Sequence, residues 1–284
     1  MQSGLHGVVA FFDHRPERAY PLPMPDPNNR SHALEHPVEA ASRGLPSYVW
    51  RAGQDRRFEM IRNFAALEGS RALDIGCGLG MYTRRLAEAG AQPLGLEIDW
   101  PRAREARASG LSIIAAVSEH LPLDLGSLDL LLMHEVLEHV ADDRATAAEL
   151  SRCLAPGGRA IIFVPNRWWP FETHGIFWGG RYRFGNIPMV NYLPDPLRNR
   201  LAPHVRAYTR RSLREAFHGL PMKVVHHSCI FPGYDNLAAR RPRLGGMARR
   251  LSYALEKSPM ERFGLSHLLV LERVADEVEA GAES

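Results

Sequence analysis

The run Arg71-Ala-Leu-Asp74-Ile-Gly76-Cys77-Gly78-Leu-Gly80 narrows the choice of fold more than any other stretch of the chain. The apolar residues 72, 73 and 75 read as a short buried strand, and a glycine-rich turn follows at once. A helix is expected from Met81 through Arg84, Arg85, Leu86 and Ala87 to Gly90, which stands where a helix-ending glycine belongs. Strand, turn and helix make a cradle in which bare backbone N–H groups face a ligand that no Cβ keeps away. Asp74 puts a carboxylate beside it. A dinucleotide turn, GxGxxG, would need glycine at 81, where the chain has Met81; the spacing here is GxGxG. A tight turn without any ligand is the competing reading.

The β-α rhythm continues downstream. Strands are expected at 92–97, 111–117, 128–133 and 159–164, with helices over 100–108, near 135–139 and over 143–154, and a Pro156-Gly157-Gly158 turn before the fifth strand. Such alternation implies a parallel sheet covered on both faces, an α/β doubly wound, Rossmann-like architecture. A helix beginning at Tyr48 precedes it, and residues 1–47, rich in proline and asparagine, read as an irregular arm.

Beyond Pro165 the rhythm stops. Residues 165–207 hold Trp168, Trp169, Phe171, Phe177, Trp178, Tyr182, Phe184 and Tyr192 among many prolines and glycines, too long for a plain connection, and read as an aromatic lid. A helix over 209–218, a strand over 222–231 and a last strand over 267–272 follow. A second insertion at about 232–260 carries the stripe Leu244, Met247, Ala248, Leu251 and Leu255. Packing against the body is the expected role of this stripe, and contact with an anionic membrane surface is the other. Residues 48–275 thus form one domain, with 276–284 an acidic, solvated tail.

With 45% hydrophobic and 24% charged residues the composition is that of an ordinary globular protein. No uninterrupted apolar run reaches 18 residues, and no basic segment followed by an apolar core opens the chain. Three cysteines without a CxxC pair argue against a disulfide framework and a zinc ribbon, so a cytoplasmic location is expected. The net charge of +3 and the lack of a long basic tract weigh against nucleic acid as a partner.

Glu97, in Gly95-Leu-Glu97, stands at the carboxyl end of the second strand, where a ribose diol would be held. Here the chain resembles the class I S-adenosylmethionine-dependent methyltransferases, of the type 11 or ubiquinone O-methyltransferase-like group. Asp74 to Gly80 is similar to their first motif and Gly95-Leu-Glu97 to their ribose-binding acid. Ser118-Glu-His-Leu121-Pro122 is similar to the loop beside the adenine, and Leu154-Ala-Pro-Gly-Gly158 to the turn before the fifth strand. The resemblance implies a seven-stranded, mostly parallel sheet with one antiparallel strand. It also implies S-adenosylmethionine held by Asp74, Gly76, Cys77, Gly78, Glu97, Ser118 and Glu119, with His134 beside it. The family often has Asp where Val117 stands, so the adenine amine must be met by Glu119 or by backbone. Arg51 and Gln54 are candidates for the donor's carboxylate, or else are solvated residues of a surface helix.

The fourth strand ends in His134-Glu135-Val-Leu-Glu138-His139, at the sheet rim where open α/β sheets bind ligands. On a helix, Glu135, Glu138 and His139 would share one face, and with His174 they could ligate Mg²⁺, Mn²⁺ or Zn²⁺. This ExxEH pattern resembles the metal motif of the plant small-RNA 2′-O-methyltransferase, and ubiquinone O-methyltransferases carry a similar stretch. Capping and packing without a metal is the plainer reading. His139, His174 and His134 are the candidate general bases. The lid aromatics admit an ordinary core, a pocket for a flat or lipid-like substrate, or base stacking. The expected activity is methylation of a small molecule, with oxygen as acceptor. The alternatives are a metal-assisted RNA 2′-O-methyltransferase and a cofactor-binding regulator without turnover.

Overall fold

The computed structural model describes residues 52–275; the arm 1–47, residues 48–51 and the tail 276–284 lie outside them. Among the described residues seven strands form one sheet. In chain order they are β1 (Arg71–Ile75), β2 (Gln92–Leu96), β3 (Ile113–Ile114), β4 (Leu128–His134), β5 (Leu154–Pro165) and, beyond the lid, the strands Met222–Ile230 and Ser266–Arg273. Numbering these last two six and seven, the spatial order is 3-2-1-4-5-7-6. Strands 1 to 5 pair in parallel, and Ser266–Arg273 runs antiparallel to both its neighbours. This is the expected architecture, with its single antiparallel strand.

Period-two burial explains why the sheet is covered twice. On β5, Ala160, Ile162 and Val164 join one apolar cluster while Ile161 and Phe163 join the other. The second face packs under Phe58 and Ile61 of α1 (Ala52–Phe64) and Tyr82 and Leu86 of α2 (Met81–Glu88). The next helix, α3 (Trp100–Ala108), sets Ala103 and Ala106 against Ile113 at the β3 edge. The first face packs under Ala147 and Leu150 of α4 (Asp143–Cys153) and, beyond the lid, under Leu213 of the helix Arg210–Glu215. Because β1 lies between β2 and β4, chain connections leave it in opposite directions and a crevice opens at its carboxyl end.

Four expectations need correction. The third strand is two residues long, not seven. The Pro156-Gly157-Gly158 segment is drawn into β5 as an irregularity, where the register against β4 shifts between Leu128 and Leu130. No helix forms over 135–139, because Glu135 adopts φ +56° and turns the chain sharply off β4. In the second insertion three members of the stripe face away from the body: Leu244, Met247 and Leu251 are 42%, 63% and 64% exposed, while Ala248 and Leu255 are partly buried.

The lid is built of short strands, β6 (Phe171–Glu172) paired with β9 (Ile187–Pro188) and β7 (Ile176–Trp178) with β8 (Arg181–Arg183), followed by α5 (Asp195–Leu201). Its anchor is ionic: the guanidinium of Arg198, 1% exposed, donates to Glu172 at 2.7 Å and to the Val205 carbonyl at 2.8 Å. After it come α6 (Arg210–Glu215), β10 (Met222–Ile230), α7 (Asp235–Arg240), α8 (Pro242–Leu255) and β11 (Ser266–Arg273).

The last two strands carry an imidazole pair, His267 buried and His227 half-buried. Arg214 donates to His227 Nδ1 at 3.0 Å, His227 Nε2 faces His267 Nδ1 at 3.2 Å, and His267 Nε2 donates to the Tyr208 carbonyl at 2.9 Å. The chain of bonds needs both rings neutral. Burial holds His227 down to about 3 and His267 to about 4. The folded state therefore binds fewer protons than the unfolded chain between these values and the ordinary histidine value of about 6.5. Stability from the pair is complete above that value and drains away as pH falls toward 4. Urea unfolding at pH 7 and pH 5 is expected to show a lower midpoint at pH 5, with a smaller drop in His267→Gln; equal drops in both proteins would remove the pair as the cause.

Candidate active site

The crevice at the end of β1 opens into a cavity of about 1150 Å³. Its floor is the glycine turn, with Gly76, Gly78 and Gly80 all at positive φ (+69°, +57° and +80°). A Cβ on Gly76 would meet Val136 at 2.4 Å and one on Gly80 would meet Leu111 at 2.1 Å, so those two serve close packing. A Cβ on Gly78 would meet nothing within 4 Å, and Gly78 lines the cavity. The glycine amides are not bare. Those of Gly76 and Cys77 donate to the Leu96 carbonyl, at 2.7 and 3.0 Å, and that of Gly80 to Cys77 at 2.8 Å. The Gly78 amide has a side-chain acceptor, and among the described residues the cavity-lining Leu79 and Met81 carry the turn's amides without a backbone or side-chain acceptor.

Glu97 is the clamp of this turn. Its Oε2 accepts from the Gly78 amide at 2.8 Å and its Oε1 from the Asp99 amide at 2.9 Å, with the side chain 5% exposed. Fixed this way, each oxygen keeps a free lone pair for a diol. Asp74 is 2% exposed and accepts from Thr83 Oγ1 at 2.6 Å. Burial pushes its carboxyl up to about 7 against the pull of the Thr83 bond, so a cation arriving beside it would draw it into the charged form. Cys77 contributes backbone only: its thiol packs on Gly95, and burial raises its proton affinity.

At the other end of the floor Ser118 and Glu119 line the cavity, as the resemblance implies, but both are also structural. Glu119 Oε1 accepts from the Ala141 amide at 2.8 Å, and Ser118 Oγ lies 3.2 Å from Thr146 Oγ1. Gln54 lines the cavity as well; Arg51 lies outside the described residues.

Arg57 escaped the sequence reading, as did Glu172 and Arg198 in the lid. Arg57, three residues after Gln54 on α1, reaches over the rim and donates to His134 Nε2 at 2.7 Å, Glu135 Oε1 at 2.9 Å and Ser266 Oγ at 3.0 Å. Burial and the Arg57 charge hold His134 down to about 3, with its ring stacked on Tyr82 at 4.6 Å. Its Nε2 lone pair is already taken, which removes His134 from the candidate bases. Burial alone would raise Glu135, but Arg57, His134 and Ser266 outweigh it and keep this carboxylate ionised. Glu135 is therefore held apart from the ligand set expected of it.

The remaining three members of that set do converge. Glu138, His139 and His174 present one ligand atom each, all within 4.8 Å of one another. Glu138 is 1% exposed and neither of its oxygens finds a hydrogen-bond partner among the described residues. Its Oε1 lies 3.9 Å from His139 Nε2 and 4.0 Å from His174 Nε2. Each imidazole has its other nitrogen occupied: His139 Nδ1 bonds the His204 carbonyl at 3.1 Å, and His174 Nδ1 faces Glu172 Oε1 at 3.3 Å. Both Nε2 lone pairs thus turn toward Glu138. Burial, with the Glu135 charge nearby, drives the Glu138 carboxyl well above the ordinary range, so it holds a proton or a cation. Burial first, and His174 second, lower His139 to about 4. Burial alone would raise Glu172, but its bond to His174 and the Arg198 charge win and hold it low. A carboxylate-oriented imidazole beside a roofed cavity can accept a proton from a bound hydroxyl.

Residues 73–162 match the family model described as a methyltransferase domain. A ubiquinone biosynthesis O-methyltransferase of Methylococcus capsulatus is 32% identical over 121 residues, 39% of this chain and 50% of that protein. An uncharacterized methyltransferase of Mycobacteroides abscessus is 31% identical over 175 residues, 59% of this chain and 58% of that protein. The chain thus spans about half the length of the curated relatives it matches. Among solved structures, an S-adenosylmethionine dependent methyltransferase from Mesorhizobium loti superposes with a TM-score of 0.53 at 22% identity, covering 76% of this chain and 97% of that one. Geranyl diphosphate C-methyltransferase from Streptomyces coelicolor gives 0.52 at 17% identity over 78% and 76%. These structural likenesses establish the fold.

Gly78 offers the sharpest test of the floor. Gly78→Arg fills the cavity and strains a left-handed position by about 1–2 kcal/mol. Calorimetry is expected to show S-adenosylmethionine binding by the wild type and none by a Gly78→Arg protein that still melts cooperatively; equal binding by both would place the ligand elsewhere.

Proposed function

We propose that the chain is a class I S-adenosylmethionine-dependent methyltransferase and that it methylates a hydroxyl of a small, lipid-like molecule. The observation that carries the oxygen acceptor is His174, an imidazole oriented by a buried carboxylate at the cavity wall. Methylation of a hydroxyl, unlike that of a thiolate, calls for removal of a proton. The likeness to ubiquinone biosynthesis O-methyltransferases supports the same acceptor.

The donor supplies a methyl on sulfonium sulfur; the acceptor oxygen forms the new C–O bond in line as the C–S bond breaks, its electron pair staying on sulfur. The protein aligns the partners and moves the proton. His174 Nε2 takes the hydroxyl proton, and the imidazolium that results is stabilised by Glu172, itself held ionised by Arg198. Glu97 fits the ribose diol. Asp74, ionising near neutrality, fits the donor's positive charge. The lid residues Thr173 and Phe184 line the cavity above and keep water from the sulfonium.

The orphaned carboxylate of Glu138 favours a second reading at the same wall. A divalent cation on Glu138, His139 and His174 would satisfy that carboxylate and both lone pairs, and the outer nitrogens are already oriented as metal-bound imidazoles require. Such an ion would supply Lewis-acid polarisation of a hydroxyl. Glu135 stays outside this set.

Transfer of labelled methyl into lysate small molecules is expected, with RNA and protein fractions unlabelled; no transfer into any fraction would favour a regulator. With the acceptor in hand, His174→Gln is expected to lower kcat by about 10²–10⁴ with donor affinity unchanged. Glu172→Gln is expected to lower kcat as well, since the imidazole loses the carboxylate that orients it; an unchanged kcat would deny Glu172 that part. For the metal reading, EDTA is expected to abolish turnover and Mn²⁺ or Zn²⁺ to restore it, with Glu138→Gln no longer restorable. Full turnover in EDTA would leave Glu138 as a buried proton carrier.

A further inference from the structure

The second insertion carries a surface that the methyl-transfer reading does not use. Helix α8 packs inward through Gly245 and Ser252, seven residues apart, and a Cβ on Gly245 would strike Ala238 of α7 at 2.4 Å. At 3.6 residues per turn, the direction opposite these two falls among Arg243, Met247, Arg250 and Ala254. The outward face therefore has two rows. Arg243, Arg250 and, past the helix end, Lys257 recur every seven residues; beside them run Leu244, Met247 and Leu251, exposed at 42%, 63% and 64%.

The charge on this face is unbalanced. Residues 236–260 contain Arg240, Arg241, Arg243, Arg249, Arg250 and Lys257 but only one acid, Glu256. Glu256 is turned inward to Arg56, and the flanking Asp235 and Glu261 are bound to Arg249 and Arg210. Among the described residues the cations at 240, 241, 243, 250 and 257 have no carboxylate partner.

We infer that the outward face of α8 docks on an anionic lipid bilayer, lying flat with Leu244, Met247 and Leu251 in the acyl boundary and its basic row on the headgroups. A basic row alongside bare aliphatic side chains fits a surface that is apolar below and anionic above. A nucleic acid would satisfy the arginines and leave the leucines and methionine in water, and this face of α8 offers no aromatic ring for stacking. A second copy of the chain would bring the same cations together across a two-fold axis. The placement has a use. Tyr253 of α8 lines the cavity, under the Arg56 guanidinium at 3.8 Å from its ring, so the helix that would dock also forms part of the cavity wall. The docking itself does not depend on methyl transfer.

The test is co-sedimentation of the full chain with vesicles of phosphatidylcholine, alone or mixed with phosphatidylglycerol. Retention on the mixed vesicles is expected to exceed that on neutral ones by about tenfold and to weaken with salt. Met247→Ser with Leu251→Ser, and separately Arg243→Ser with Arg250→Ser, are each expected to cut retention at least about fivefold, since each removes one of the two contributions. Both pairs are exposed, so unchanged thermal melting will show that the variants are folded. No retention of the wild type on anionic vesicles, or retention unaltered in the serine-for-aliphatic variant, overturns the inference. Binding of a DNA or RNA fragment that needs the arginines but not the aliphatics would identify the face as a polyanion site instead.

Discussion

The guanidinium of Arg57 sets the charge state of the whole rim. It bonds the last residue of β4, the first residue after it, and the first residue of β11, tying α1 to two strands at the point where the cavity opens. Without it two carboxyls, Glu135 and Glu138, would share one buried pocket, and like charges so placed cannot both ionise cheaply. Arg57 breaks the tie by fixing the charge on Glu135, which leaves Glu138 as the member that keeps a proton or takes a cation. Burial, with the same cation, keeps His134 neutral. One side chain thereby divides the rim into a charged, structural half and a neutral half facing the lid.

That division was not legible from the chain, and the reason is physical. The cradle at 74–80, the acid at 97 and the strand-helix rhythm are local patterns, written within a strand and the turn that follows it. Glycines at 76, 78 and 80 announce positive φ because only glycine takes it freely. Glu135 takes φ +56° without being glycine, and nothing in its neighbours signals it; the Arg57 and Ser266 bonds hold the turn from positions 78 and 131 residues away. A helical reading of 135–139 was reasonable by spacing and wrong by tertiary contact. The metal-like cluster survived that error because Glu138 and His139 are adjacent, and His174 arrives from the lid.

Glu172 and Arg198 were missed for a related reason. A carboxylate and a guanidinium in a proline- and glycine-rich insertion look like solvated loop residues, and their burial depends on how the insertion folds over itself. The lid is therefore not a pliant cover. Its short strands bury little apolar area, and the rings at Trp168, Trp178 and Phe184 that suggested a core are about half exposed or more. What orders it is polar: Arg198 to Glu172, Asn191 to the Trp169 and Phe171 carbonyls, and Tyr182 to the His174 carbonyl.

This polar ordering has an energetic consequence at the cavity wall. A buried ion pair gives little net stability compared with well-packed apolar residues, yet removing one partner costs about 3–5 kcal/mol because the other is left unpaired. Glu172 and Arg198 therefore add little to the depth of the native state but penalise every arrangement of the lid that separates them. Since Glu172 also orients His174, the penalty falls on arrangements in which the imidazole is misaligned. A hydrophobic lid of the same size would tolerate sliding; an ionic one holds a single register. The position of the His174 imidazole at the cavity wall is thus enforced by electrostatics inside the insertion, rather than by the sheet that carries the glycine turn.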